Sequence, residues 1–294
     1  MKITLLGTGT PTPSLRRMSA GYLVETGDAV MLFDFGPGCY HRMMEAGVRA
    51  VDVTHVFFTH LHYDHCLDFV RLLMTRWDQG GGRIDELNVF GPAHTQQLVD
   101  SIISPQGLFG PDIAARTQLP MSQAVHVARG GTLPRQRPAP VVRELKSGGQ
   151  VDGDGWTVSV RAVRHAQPVL ECFGYRLEQG GHSFAYSGDS GPCKAMELLA
   201  EDCDVLVHMC HFISGTELNE AMAQNNMGHL DLARLGQSSG AKNVVISHVT
   251  EQMDVPGVRE RILREMGEIY TGNLFFGEDL MVVPVNGPTP LRLD

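Results

Sequence analysis

Thr59-His60-Leu61-His62-Tyr63-Asp64-His65 follows directly on the apolar run Val53 to Phe58. The run reads as a buried strand, and in the extended exit from it residues two apart share a side, which brings His60 and His62 together. The turn into the next helix, read from Leu67 to Trp77, carries Asp64 and His65 to a second point close by. Imidazole suits zinc, iron or manganese and a carboxylate adds a harder oxygen donor, so the spacing is that of two adjacent metal sites of the kind used in hydrolysis. One strand-end histidine would be read as packing or solvated; four ligand-type residues in six positions would not.

Outward from this segment, Lys2 to Leu6, Gly21 to Glu25 and Ala29 to Phe33 read as an antiparallel opening, with a hairpin turn at Gly27-Asp28. A helical pattern runs through Ala46, a strand at Asn88 to Phe90 is closed by Gly91-Pro92, and Ala93 to Ile103 reads as a helix. Residues 104–137 have weak periodicity and many Pro and Gly, and are expected to form an insertion or lid. Strands follow at Val141 to Leu145, Thr157 to Val163, Phe173 to Leu177, Ser183 to Tyr186, Val205 to His208 and Val244 to Ser247, with helices at Cys193 to Ala200 and Leu230 to Gly236. No low-complexity linker divides the chain, so a single domain over 1–294 is expected.

Lys and Arg number 24 against 33 Asp and Glu, a net charge of −9 with His neutral, so the basic excess that draws a protein to nucleic acid or anionic lipid is missing. Residues are 43% hydrophobic and 19% charged, without an apolar run long enough for a membrane helix. The N-terminus meets Gly7 after a short apolar stretch and does not read as a leader, so a cytoplasmic location is expected. The six cysteines form no Cys-x-x-Cys pair, which argues against a disulfide framework or zinc ribbon. Cys66 and Cys210 flank ligand-type positions; they read as small packing residues, or else as oxidation-sensitive thiols at a metal's edge.

Thr59 to His65 resembles the His-x-His-x-Asp-His signature of the metallo-β-lactamase superfamily. That family's third metal-binding histidine matches His165, its bridging aspartate matches Asp189 in Tyr186-Ser-Gly-Asp-Ser190, and its last histidine matches His248 after Val244-Val-Ile-Ser247. Alone, each would as readily be a solvated or turn-capping residue; together they occur in order, at expected strand ends. The resemblance implies that His60, His62 and His165 hold one metal, that Asp64, His65 and His248 hold the other, and that Asp189 bridges them. It implies an α/β fold, the four-layer αββα sandwich, with two divalent metal ions at the edge between two packed sheets. Zinc is expected first, although the same ligands accept manganese or iron. A homodimer is also implied. Leu6-Gly-Thr-Gly-Thr-Pro11, Phe33-Asp-Phe-Gly36, Phe173-Gly-Tyr-Arg-Leu177, Gly228-His-Leu230 and Ser247-His248 are similar to segments of the ribonuclease Z-like branch, which also contains arylsulfatases and small phosphodiesterases.

The chain departs from that branch in two places. Ribonuclease Z carries a long basic arm after its Phe-Gly-Tyr-Arg strand, whereas Leu177-Glu-Gln-Gly-Gly-His-Ser183 here passes straight into the next strand. His208-Met209-Cys210-His211 stands where those enzymes have His-Glu-Ala-Thr. The resemblance carries the proton-donating histidine onto His208, whose orienting glutamate is replaced by Met209, with His211 as the alternative donor and His229 as a further histidine near the active site. The expected catalytic residues are thus Asp64, His208, His211 and His229. Leu72, Leu73, Trp77, Leu108 and Phe109 are expected to line the pocket, and Arg71, Arg76 or Arg176 to meet an anionic substrate group. The function expected is hydrolysis of a small molecule, at an ester, phosphodiester, sulfate ester, lactone, amide or activated carbon–halogen bond, by hydroxide held between the metals. The alternatives are a transfer RNA 3′-end processing endonuclease and a non-catalytic metal- or ligand-binding module.

Overall fold

A computed structural model describes residues 1–286 of the chain. Strands β1 (Lys2–Gly7), β2 (Gly21–Glu25) and β3 (Val30–Phe35) form the antiparallel opening, and β4 (His55–Phe57), β5 (Asn88–Gly91) and β6 (Val141–Glu144) then add in parallel. The second half mirrors this. Strands β7 (Gln150–Gly153), β8 (Trp156–Ala162), β9 (Phe173–Gln179) and β10 (His182–Tyr186) pair antiparallel, after which β11 (Val205–Met209), β12 (Asn243–Ser247) and β13 (Asn273–Phe276) pair in parallel. The last strand, β14 (Val282–Val283), returns to pair with β1, giving two seven-stranded sheets ordered β14-β1-β2-β3-β4-β5-β6 and β13-β12-β11-β10-β9-β8-β7.

Parallel strands β11 and β12 are near-continuous apolar runs, buried on both faces, whereas the edge strand β6 is largely exposed. Between the sheets Phe33 stacks on Phe57 at 5.0 Å and meets Tyr175 and Phe184 edge-on at 5.8 and 5.4 Å. The outer face of the first sheet (Leu32, Val56, Phe58) is sealed by Tyr40 and Met43 of helix Cys39–Glu45 and by Phe69, Leu72 and Leu73 of helix Phe69–Gly80. The outer face of the second (Ala185, Leu206, Ile246) is sealed by helices Lys194–Ala200, His229–Ser239 and Val258–Gly267. This is the αββα sandwich expected from the resemblance. No helix among the described residues is long and apolar enough to cross a membrane.

Several expectations need correction. The strand read at Val53 to Phe58 is shorter, because a 3₁₀ turn at Ala50–Asp52 precedes it and the Val53 carbonyl accepts from the Arg76 guanidinium. The helix read from Leu67 starts at Phe69, after a separate turn at Tyr63–Cys66. Residues 104–137 are largely two helices, Gly110–Gln118 and Pro120–Ala128, rather than an irregular lid; Pro111 and Pro120 stand in their first turns, where a missing N–H costs nothing. Leu72 and Leu73 are core residues, not pocket lining, and Leu108 is exposed. Strand β7, the helices Glu220–Asn225 and Val258–Gly267, and strands β13 and β14 were not anticipated. Residues 287–294 of the expected domain lie outside the described residues.

Candidate metal centre

At one end of the sandwich, His60, His165, Asp189 and His248 each stand just past the C-terminal end of a strand: β4, β8, β10 and β12. The two sheets are pinned together there. The Tyr175 hydroxyl donates to the Phe58 carbonyl at 2.6 Å, the Phe173 N–H donates to the Thr59 carbonyl at 2.9 Å, and Tyr22 and Ser247 share a hydroxyl hydrogen bond of 2.7 Å.

The seven expected ligands converge as two groups, His60, His62, His165 and Asp189 in one and Asp64, His65 and His248 in the other. Asp189 faces both. Its Oδ2 lies 3.5 Å from His165 Nε2 and 4.0 Å from His60 Nε2, while its Oδ1 lies 3.5 Å from His65 Nε2 and 3.4 Å from His248 Nε2. Asp64 Oδ2 closes the second group, 3.4 Å from His65 Nε2 and 3.3 Å from His248 Nε2. Four donors about 2.0–2.1 Å from a central ion in a tetrahedron lie about 3.3–3.4 Å from one another, close to the spacing of the second group. In the first group the distances run from 2.9 Å, between His60 Nε2 and His62 Nδ1, to 4.0 Å. Asp189 Oδ1 and His65 Nε2 are buried without a hydrogen-bond partner, a costly state that a cation between them would resolve.

A carboxylate beneath the centre fixes which ring nitrogens are free. Asp34, wholly buried and with φ of 57°, accepts from His65 Nδ1, the Thr59 hydroxyl and the Tyr186 hydroxyl, each at 2.7 Å, and from the Thr59 N–H. With the Thr59 proton spent on Asp34, His60 Nδ1 donates to Thr59 Oγ1 at 3.0 Å. His165 Nδ1 donates to the Asn225 carbonyl at 3.0 Å. With Nδ1 of each of the three rings committed in this way, Nε2 is the nitrogen left to face the centre, the orientation a metal requires.

Burial pushes the pKa of His60 and His62 down and keeps them neutral. Burial acts the same way on His65, but Asp189 and Asp34 outweigh it and hold a proton on the ring, which a cation would displace on binding. For Asp189 the burial penalty is overcome by the facing imidazoles of His248, His65 and His60, and the carboxyl is held well below its usual range.

The other expected residues divide. His211, half-buried, stacks obliquely on His248 with ring centroids 6.1 Å apart, and its Nδ1 is buried without a partner. Burial and then the charge of His248 lower its pKa. His208 is wholly buried outside both ligand groups; its Nδ1 donates to the Met209 carbonyl, and burial pushes its pKa down to about 4. His229 does not join the centre. Its Nδ1 accepts from the Ser214 N–H at 2.9 Å and its Nε2 donates to Glu265 at 2.8 Å, so both nitrogens tie the segment after His211 to helix Val258–Gly267.

Arg76 and Arg176 are occupied with backbone carbonyls, of Val53 and Asp85 and of Leu199 and Glu201 respectively. Arg71 remains exposed, lying over the Tyr40 ring at 4.2 Å. Burial pushes the Cys66 thiol up to about 12 and Cys210 higher still, so both are packing thiols rather than thiolates. Asp34 and Tyr186 were given no role by the sequence reading, although a lone aspartate inside the apolar strand Val30–Phe35 is itself a signal, since a buried carboxylate needs partners.

The family model described as the β-lactamase superfamily domain matches residues 30–248. A protein named ribonuclease Z from Mycobacterium sp. (strain KMS) is 35% identical over 209 residues, covering 71% of this chain and 68% of that protein. Another ribonuclease Z, from Mycobacterium bovis (strain BCG / Pasteur 1173P2), is 29% identical over 296 residues, covering 97% of this chain and 99% of its own length. Among solved structures, the metallo-β-lactamase fold protein YhfI from Bacillus subtilis superposes with a TM-score of 0.73 at 19% identity, covering 96% of this chain and 98% of that one. With the two ligand groups in place at the sheet edge, the chain belongs to the metallo-β-lactamase superfamily of metal-dependent hydrolases, in its ribonuclease Z-like branch.

Proposed function

We propose that the protein hydrolyses a phosphodiester bond, with the 3′ end of a precursor transfer RNA as the leading substrate. The observation that carries this reading is the split of the Asp189 carboxylate between two complete ligand groups. Relatives named ribonuclease Z, similar over nearly the full chain, support the choice of substrate. His60, His62, His165 and Asp189 Oδ2 would hold one divalent ion and Asp64, His65, His248 and Asp189 Oδ1 the other, with zinc favoured by the imidazole-rich donor set. Such a pair of ions, when bound, activates water and offsets charge on the oxygens of the group attacked. His211, which stacks on His248 and has no partner at Nδ1 among the described residues, would give a proton to the leaving oxygen. Its lowered pKa keeps it neutral in the free protein, and an anionic phosphodiester facing it would raise that pKa again. Asp64 serves as ligand rather than as a separate acid or base.

The second reading is hydrolysis of a small-molecule ester, favoured by the link from β9 to β10, which is Gly180-Gly181 alone, and by the net charge of −9. That short link does not separate the chain from its relatives. The match to the Mycobacterium bovis protein takes in 99% of that protein over 296 aligned residues, so an arm of tens of residues is missing there as well. A homodimer in the cytoplasm remains part of the proposal, and light scattering tests the oligomer.

The experiment is one panel assayed with zinc-loaded and manganese-loaded protein: precursor transfer RNA, bis-p-nitrophenyl phosphate, p-nitrophenyl sulfate, aryl esters and lactones. Endonucleolytic cleavage at the RNA 3′ end, faster than any small substrate, is the expected result. Turnover of a small ester with the RNA left intact would replace it with the second reading.

A further inference from the structure

Helix Phe69–Gly80 leads away from the metal ligands of the preceding turn, and at about 1.5 Å per residue its 12 residues span about 18 Å. At its far end a cavity of about 130 Å³ opens between the helix and the segment after Pro120–Ala128, with Arg76, Trp77, Glu86, Thr132, Arg135 and Arg137 in its lining. Arg135 is the unusual member. It is 8% exposed, its guanidinium lies 4.2 Å from the centre of the Trp77 ring, and among the described residues only its Nη2 is hydrogen-bonded, donating to Asp78 at 2.8 Å. Its Nε is buried without a partner.

A guanidinium presents five N–H donors in a rigid fork, and here a buried Nε without a partner is costly while Nη1 is left free for a ligand. Asp78 does not supply the missing charge, because its two oxygens are shared with Arg116 at 3.0 Å and Arg129 at 3.1 Å. Arg116 also takes Asp112, so three arginines meet two aspartates at this spot. The lining also holds Arg76 and Arg137, which donate to the backbone carbonyls of Val53, Asp85 and Ile103, and one acidic residue, Glu86. The remaining demand is for a small group with several acceptors and negative charge, and paired hydrogen bonds from arginine match phosphate and carboxylate geometry.

We propose that this cavity is a binding site for a single small oxyanion, a phosphate or a carboxylate, held by Arg135 above Trp77 and separate from the metal centre. Bound there, the anion would tie the segment after helix Pro120–Ala128 to helix Phe69–Gly80 through groups that the protein alone leaves unpaired.

Trp77 reports on the site, since the chain has two tryptophans and Trp156→Phe leaves Trp77 alone. The metal-loaded Trp156→Phe protein is titrated with inorganic phosphate, and separately with acetate, while sodium chloride keeps the ionic strength constant. A saturable change in Trp77 emission is expected, weakened at least tenfold by Arg135→Gln. Thr132→Glu, which brings a carboxylate to an exposed position in the lining and leaves the core untouched, should weaken it as well and serves if Arg135→Gln fails to fold. The anion that saturates at the lower concentration identifies the source of the ligand. Asp64→Ala in the same background should leave the titration unchanged. Absence of saturation with both anions, or a response that survives Thr132→Glu and disappears with Asp64→Ala, would overturn the proposal.

Discussion

His65 Nδ1 lies 2.7 Å from Asp34 Oδ2, with both side chains wholly buried, and the same carboxylate reaches His60 through the Thr59 hydroxyl. One residue outside both ligand groups thus sets the tautomer of a histidine in each. Asp34→Asn keeps the volume and removes the charge, so metal affinity should fall by roughly 10–100-fold, as for other outer partners of metal-bound histidines. Titration with a chelator-buffered metal series reads this directly, and excess metal should restore much of the activity. Unchanged affinity would mean that the histidines are fixed by packing alone.

Asp189 touches both groups, whereas His248 belongs to one. Asp189→Ala should therefore lower the metal content at both positions, and His248→Ala at one only. Elemental analysis of dialysed protein distinguishes these, and equal losses in the two variants would contradict the bridging role.

His211→Gln tests the proton donor. Turnover of a substrate with a poor leaving group should drop by about 10²–10⁴-fold, the usual worth of a positioned acid or base, while a p-nitrophenyl leaving group, which needs no proton, should be little affected. His208→Gln, altering a histidine outside the ligand groups that hydrogen-bonds its neighbour's carbonyl, should act on thermal stability instead. A reversal of the two patterns would reinstate His208.

His55 gives a pH dependence unconnected with the centre. It packs between the Phe90 and Trp156 rings, at 6.2 and 5.0 Å, and burial pushes its pKa from 6.5 to about 4. Between those values the unfolded chain takes up a proton that the folded one refuses, so stability falls as the pH drops from about 6.5 toward 4 and the loss then levels off. Urea midpoints at pH 7 and pH 4.5 should move less in His55→Phe than in the parent. Equal shifts would exclude His55 as a source of the slope.

The sandwich and the convergence of seven ligand-type residues are legible in the sequence for two reasons: His60, His62, Asp64 and His65 stand in one short local pattern, while His165, Asp189 and His248, each weak alone, follow from the resemblance to the family's motifs. The residues that orient the ligands are not. Asp34 precedes His65 by 31 positions and Tyr186 follows Asp34 by 152, and nothing local announces such pairs. His229 misled for the same reason, since its partner Glu265 lies 36 residues on, in a helix not read from the sequence. Residues 104–137 have weak periodicity and many Pro and Gly, yet Pro111 and Pro120 stand in the first turns of helices, where proline is favoured.

Cleavage of precursor transfer RNA and of bis-p-nitrophenyl phosphate by zinc-loaded protein, compared with Asp189→Ala at matched total zinc, tests the proposed chemistry most directly. The expected result is phosphodiester cleavage by the parent and none by the variant, with the same far-ultraviolet circular dichroism for both. Protein that binds two equivalents of zinc and cleaves neither substrate, or cleavage that survives Asp189→Ala, would contradict it.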